Sequence, residues 1–114
     1  MNQSENYGSI RKSLEGKELV VHAFDHSYTT LFTVCKYSEN GRAAIELIMK
    51  DDGEPFTTLT CNLNHAPLEN REVLIKTWSE NEETAKCALE SGLFRDTGKR
   101  ISTGFVLAQI WEVL

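Results

Sequence analysis

One helix in this sequence carries both a start and a stop signal, and it is set between two strands. That arrangement alone excludes all-β and all-helical folds. Val73 to Thr77 (VLIKT) is a short apolar, β-branched run of the kind that forms a buried strand. Ser79-Glu80-Asn81-Glu82 then matches a capping box. In that motif the serine hydroxyl accepts from the Glu82 backbone N–H, and the Glu82 carboxylate reaches back to the Ser79 N–H. Glu80, Glu82 and Glu83 place negative charge at the positive end of the helix dipole. Ala85, Ala88 and Leu89 recur at i, i+3 and i+4, a narrow face able to lie close on a sheet. Gly92 supplies the C′ position, where a positive φ is easy for glycine. The spacing predicts a helix over about 80–91.

The rest of the chain reads as strands and hairpins. Glu18–Phe24 is a strand, Asp25-His26-Ser27 a turn, and Tyr28–Tyr37 a second strand rich in Thr, aromatic and β-branched residues. Asn40-Gly41 predicts a type I′ hairpin turn back to Ala43–Met49. Asp52-Gly53 marks a further hairpin to Phe56–Leu63, followed by a polar loop containing Pro67. A short strand is expected at Leu93–Arg95. Phe105–Leu114 has apolar residues on both faces, which places it inside the sheet. Met1–Ser9 is polar and expected to fray; Tyr7, Ile10 and Leu14 share a face, but Gly8 and Gly16 limit any helix there. The reading is a single α+β domain over 1–114: one antiparallel or mixed sheet of five to six strands, with one main helix on a face.

Charge and cysteine usage bound the function. The net charge of −5 argues against direct binding of nucleic-acid phosphates and permits a basic protein partner. The apolar runs are too short to cross a membrane, and the first residues lack the apolar core of a secretory leader. Cys35, Cys61 and Cys87 are odd in number and form no CxxC. They read as free thiols in a reducing cytoplasm, each on an apolar face.

No cofactor signature stands out, and the chemical motifs are each better explained without chemistry. Asp96-Thr97-Gly98 is the aspartic-protease tripeptide, but basic residues flank it and little chain follows it. A Thr-Gly turn between strands explains it. Gly98-Lys99 lacks the glycine and the hydroxyl residue of a phosphate loop, since Leu93 and Arg100 occupy those positions. His22, Asp25 and His26 have metal-ligand chemistry but sit on a strand running into a turn, so no metal is expected. Trp78 and Trp111 are candidate anchors for a partner, with core packing as the simpler account.

Several stretches carry a resemblance: Lys76-Thr77-Trp78-Ser79-Glu80-Asn81-Glu82, Ser91-Gly92-Leu93, Asp96-Thr97-Gly98-Lys99-Arg100 and Ser102-Thr103-Gly104-Phe105. Tyr37 to Ala44 (YSENGRAA), Asp52-Gly53-Glu54-Pro55 and Leu59-Thr60-Cys61-Asn62-Leu63 extend it. From about Thr29 onward the chain resembles a family of small bacterial domains of unknown function, common on mobile elements and in phages. The shared residues are turns, caps and strands. The resemblance therefore implies a compact unit of helix and sheet in a mobile-element setting; it assigns no activity and no site residue.

Two functional classes are weighed. The favoured one is a non-enzymatic inhibitor or adaptor that binds a host protein, such as an anti-CRISPR or other anti-defence protein acting on a basic, nucleic-acid-binding nuclease. Its binding residues are Asp51, Asp52 and Glu54 at a hairpin tip and Glu80, Glu82 and Glu83 at the helix start. The alternative is a small hydrolase or nuclease with His22, Asp25, His26 and Asp96 gathered in one cleft.

Overall fold

The computed structural model describes the backbone of residues 3–114 and the side chains of residues 7–79 and 81–114. The elements run α1 (Gln3–Leu14), β1 (Glu18–Ala23), β2 (His26–Lys36), β3 (Ala43–Met49), β4 (Pro55–Thr58) and β5 (Glu72–Ile75). A 3-10 turn (Ser79–Asn81), α2 (Glu82–Glu90), β6 (Phe94–Ser102) and β7 (Leu107–Val113) complete the order. The class is α+β. The expected single sheet with one main helix is overturned: the described residues form two antiparallel sheets, β1-β2-β3-β4 and β5-β7-β6, and two α-helices.

The sheet divides at Leu59 and Thr60. The alternation of Phe56–Leu63 predicts one continuous strand, but β4 ends at Thr58 and both of the next residues are buried. Leu59 N–H still donates to Ile45 on β3, at 2.8 Å, while its carbonyl accepts from Lys76 beyond β5, at 2.9 Å. Thr60 makes a lone bridge to Ile75. Thr60 tolerates burial because its hydroxyl accepts from the Ile45 N–H at 3.1 Å and pairs with the Tyr37 hydroxyl at 2.9 Å. The chain thus crosses from one sheet to the other on two residues.

The two sheets share one core. Val21, Phe32, Ile45, Leu47, Leu59, Ile75, Trp111 and Val113 belong to it, and α1 adds Ile10 and Leu14. Those two buried residues anchor α1 despite its polar sequence; the helix begins inside the stretch expected to fray, and Met1 and Asn2 lie outside the described residues. Helix α2 lies over β1 and β6, one outer strand of each sheet, and closes the core with Ala85 and Ala88. The small residues of that face permit the approach, and the His22 backbone N–H on β1 reaches the Cys87 sulfur at 3.5 Å. β7 is the central strand of its sheet, as its two apolar faces predict. Its second face, with Ala108 and Ile110, packs with Leu74, Ala66 and the partly buried Trp78.

Two hairpins share a turn geometry, which at Asn40-Gly41 differs from the expected type I′. Gly41 N–H donates to the Tyr37 carbonyl at 2.8 Å, and Gly53 N–H to the Met49 carbonyl at 2.9 Å. Only the glycine of each loop takes a positive φ, 72° and 75°. The Asx side chains fix the exit instead: Asn40 Oδ1 accepts from Arg42 N–H and Asp52 Oδ1 from Glu54 N–H.

Candidate functional site

Helix α2 is started by Asn81 rather than by a capping box. Ser79 is exposed and sits at φ 59°; the Glu82 N–H goes to its backbone carbonyl, and its hydroxyl makes no cap bond. Residues 79–81 form a 3-10 turn, so regular helix begins at Glu82, two residues later than the box predicts. The Asn81 side chain is buried and faces β4. Its Oδ1 accepts from the Thr57 hydroxyl at 2.7 Å, and its Nδ2 donates to the Thr58 carbonyl at 2.9 Å. This staple fixes the helix start against the first sheet and leaves Glu82 and Glu83 exposed in the first turn. The stop signal is as predicted: Gly92 follows the helix at φ 83°.

The tip of the β1–β2 hairpin lies beside this helix start. Ala23 pairs with His26, so the loop is Phe24-Asp25 alone, one residue earlier than the predicted Asp25-His26-Ser27 turn. Both loop residues have positive φ, 53° and 62°, the geometry of a type I′ turn built without glycine or asparagine. Phe24 is 74% exposed. A shallow groove lined by His22, Phe24, Asp25, His26 and Ser27 also takes in Glu83 of α2.

Three such grooves share lining residues, each with the next. The first, lined by Thr77, Lys86, Leu89 and Gln109, also takes in Glu82 and Glu83. It shares Glu83 with the groove at the hairpin tip. That groove shares Ser27 with a third one, lined by Glu18, Tyr28, Met49, Lys50 and Asp51. Shared lining residues thus link the start of α2, the β1–β2 tip and Asp51 on the β3–β4 loop. The described lining of the three includes five carboxylates, Glu82, Glu83, Asp25, Glu18 and Asp51, against two lysines, Lys86 and Lys50. Lys50 is ion-paired with Glu18. Asp52 and Glu54 are exposed on the same loop as Asp51. Of the six residues expected to bind a partner, five thus have described, exposed side chains. The side chain of Glu80 lies outside those described.

The catalytic alternative gathers only in part. His22, Asp25 and His26 line one groove, with His22 Nδ1 and Ser27 Oγ 2.8 Å apart. Asp96 is elsewhere, on β6. The Asp96-Thr97-Gly98 motif is not a turn between strands but a bulge within β6: Asp96 pairs with Trp111 and Arg100 with Gln109, leaving three residues opposite Ile110. Arg100 grips Asp96 with two parallel bonds of 2.9 Å. That guanidinium holds the Asp96 carboxyl below the ordinary aspartate range, helped by the Gly98 N–H and opposed by partial burial. Thr97 donates its hydroxyl proton to the Ile110 carbonyl at 2.6 Å, and Lys99 pairs with the buried Glu72 at 2.7 Å. Every side chain of the motif is occupied in holding the bulge. No group of three or more His, Cys, Asp or Glu suited to a metal occurs among the described residues.

The cysteines correct another expectation. All three are free, but Cys35 is exposed, because Thr30, Phe32 and Val34 take the inward side of β2. Cys61 is partly buried, and burial pushes its thiol pKa up. Trp111 is core and Trp78 is packed in the second cluster, so neither stands free as an anchor. Phe24 was missed by pattern reading, since an aromatic that ends an apolar run looks like strand. The available signal was the lack of glycine or asparagine near an otherwise tight reversal.

No family model matches the chain, and no curated protein or solved structure shows significant similarity to it. Among the described residues no helix is long and apolar enough to cross a membrane.

Proposed function

We propose that this domain is a non-enzymatic accessory protein of a phage or mobile element, which binds a host protein in the cytoplasm and inhibits it. An anti-CRISPR or other anti-defence inhibitor is its concrete form. The observation that supports this reading is the series of adjoining grooves at the α2 start, the β1–β2 tip and the β3–β4 loop, each with carboxylates in its lining. Such a strip suits a protein surface built to hold phosphates, because opposite potentials steer association. The acidic groups are held on hairpin loops and a stapled helix start, so little order must be gained on binding.

The test uses the whole domain as bait against a bacterial lysate, beside a variant carrying Asp51→Lys, Asp52→Lys and Glu54→Lys. The reading expects the wild type to retain a basic, nucleic-acid-binding protein that the variant loses and that raised salt releases. A partner retained equally by both baits at all salt concentrations contradicts it.

A further inference from the structure

We propose that Phe24 is the aromatic anchor of this interface, and that the partner receives it in an apolar socket rimmed by lysine or arginine. The inference rests on the acidic strip as the binding surface and adds the shape and chemistry of what meets it.

A two-residue hairpin with both φ values positive is met at least strain by Asn-Gly. Here the positions hold Phe24 and Asp25, at 53° and 62°. A phenylalanine in that region is a true outlier. Residues held so are typically kept for function. Nor does burial explain it, since Phe24 is 74% exposed. The side chain thus serves neither the core nor the turn. An exposed aromatic with a charged surround is the anatomy of an interface anchor. Asp25 follows it in the loop, and Glu83 lines the same groove. The matching surface therefore has an apolar centre and a cationic edge.

The β6–β7 tip is the obvious rival. Phe105 there is fully exposed, and Leu107 is largely so. But the positive φ of that loop falls on Gly104, and Thr103 and Ser102 satisfy its backbone. No charged residue occurs over 102–107, so nothing there specifies a partner. A second copy of this chain is a poor source of the cationic edge from β6, whose Arg95, Lys99 and Arg100 are each paired with a carboxylate.

The experiment places the photo-crosslinker p-benzoylphenylalanine at position 24, and in a second protein at position 105, in the full chain exposed to a bacterial lysate. The expected adduct joins position 24 to an apolar residue of a host protein whose surface neighbours are Lys or Arg. That host protein, purified, should bind Phe24→Ala roughly thirtyfold more weakly, through faster dissociation, equally at low and high salt. Phe24→Tyr should keep most of the affinity, which separates loss of the anchor from loss of fold. An adduct to a second copy, an adduct to a surface without basic residues, no adduct at position 24, or an unchanged affinity of Phe24→Ala each overturns the proposal. If Phe24→Ala is silent while the Asp51, Asp52 and Glu54 reversals slow association, the acidic strip stands and the anchor falls. If those reversals are silent as well, the strip falls too.

Discussion

Replacing Asn81 by alanine should unsettle the domain more than any change at Ser79, although Ser79 is the residue the sequence pattern singles out. Asn81 is 1% exposed and makes two side-chain bonds to β4, at 2.7 and 2.9 Å. Alanine removes both and leaves the Thr58 carbonyl and the Thr57 hydroxyl without those partners. At about 0.5–1.5 kcal/mol per net bond, with about 1–3 kcal/mol when a buried group is left unpaired, the loss should be about 2–4 kcal/mol. For a domain of this size that lowers Tm by about 8–16 °C, taking roughly 4 °C per kcal/mol. A capping box would make Ser79→Ala lose about 1 kcal/mol. The exposed Ser79 hydroxyl, which makes no cap bond, predicts no measurable change instead. Urea denaturation followed by circular dichroism gives both values from midpoint and slope. If Ser79→Ala proves the more damaging, or Asn81→Ala loses less than about 1 kcal/mol, the staple does not hold α2 in place.

Three further outcomes are expected. Asp96 is held below its ordinary range in the folded state, so the Asp96–Arg100 pair contributes stability above about pH 4 and loses it as pH falls through the lower folded value; in urea midpoints measured from pH 6 downward, Arg100→Gln should show a shallower acid decline than the wild type. Cys35 should be alkylated first in the native protein and Cys61 last, while unfolded, non-reduced protein should yield three reactive thiols; a single one would mean a disulfide. Lysines at Asp51 and Glu54 should leave the denaturation midpoint unchanged and Asp52→Lys should lower it slightly by removing the acceptor of the Glu54 N–H, whereas lysines at Glu82 and Glu83 should lower it through the helix dipole, by about 0.3–1 kcal/mol each.

What was legible in the sequence is what local chemistry decides. The helix stop at Gly92, β3 from Ala43 to Met49 and the central place of β7 followed from a glycine, an alternation and a two-faced apolar run. The rest depended on side chains meeting partners far along the chain. Thr60 reads as an outward strand residue until Tyr37 and the Ile45 N–H satisfy it, and that burial divides the sheet. Ser79 looks like a cap because Asn81 has a distant use at Thr57 and Thr58 that no local motif encodes. Asp96 looks like a catalytic tripeptide until Arg100 takes both its oxygens. The acidic clusters were visible as composition. Their union on one surface was not, because it follows from the β1–β2 tip lying between them.

Binding kinetics of the captured host protein test the central claim most directly, comparing wild type with the Asp51→Lys, Asp52→Lys, Glu54→Lys variant at low and high salt. Exposed charges are screened beyond about 10 Å at 0.1 M salt. The account predicts that the variant associates several-fold more slowly at low salt, dissociates at nearly the wild-type rate, and converges on the wild type as salt rises. Association rates that match at low salt, with an affinity that salt does not change, would contradict it.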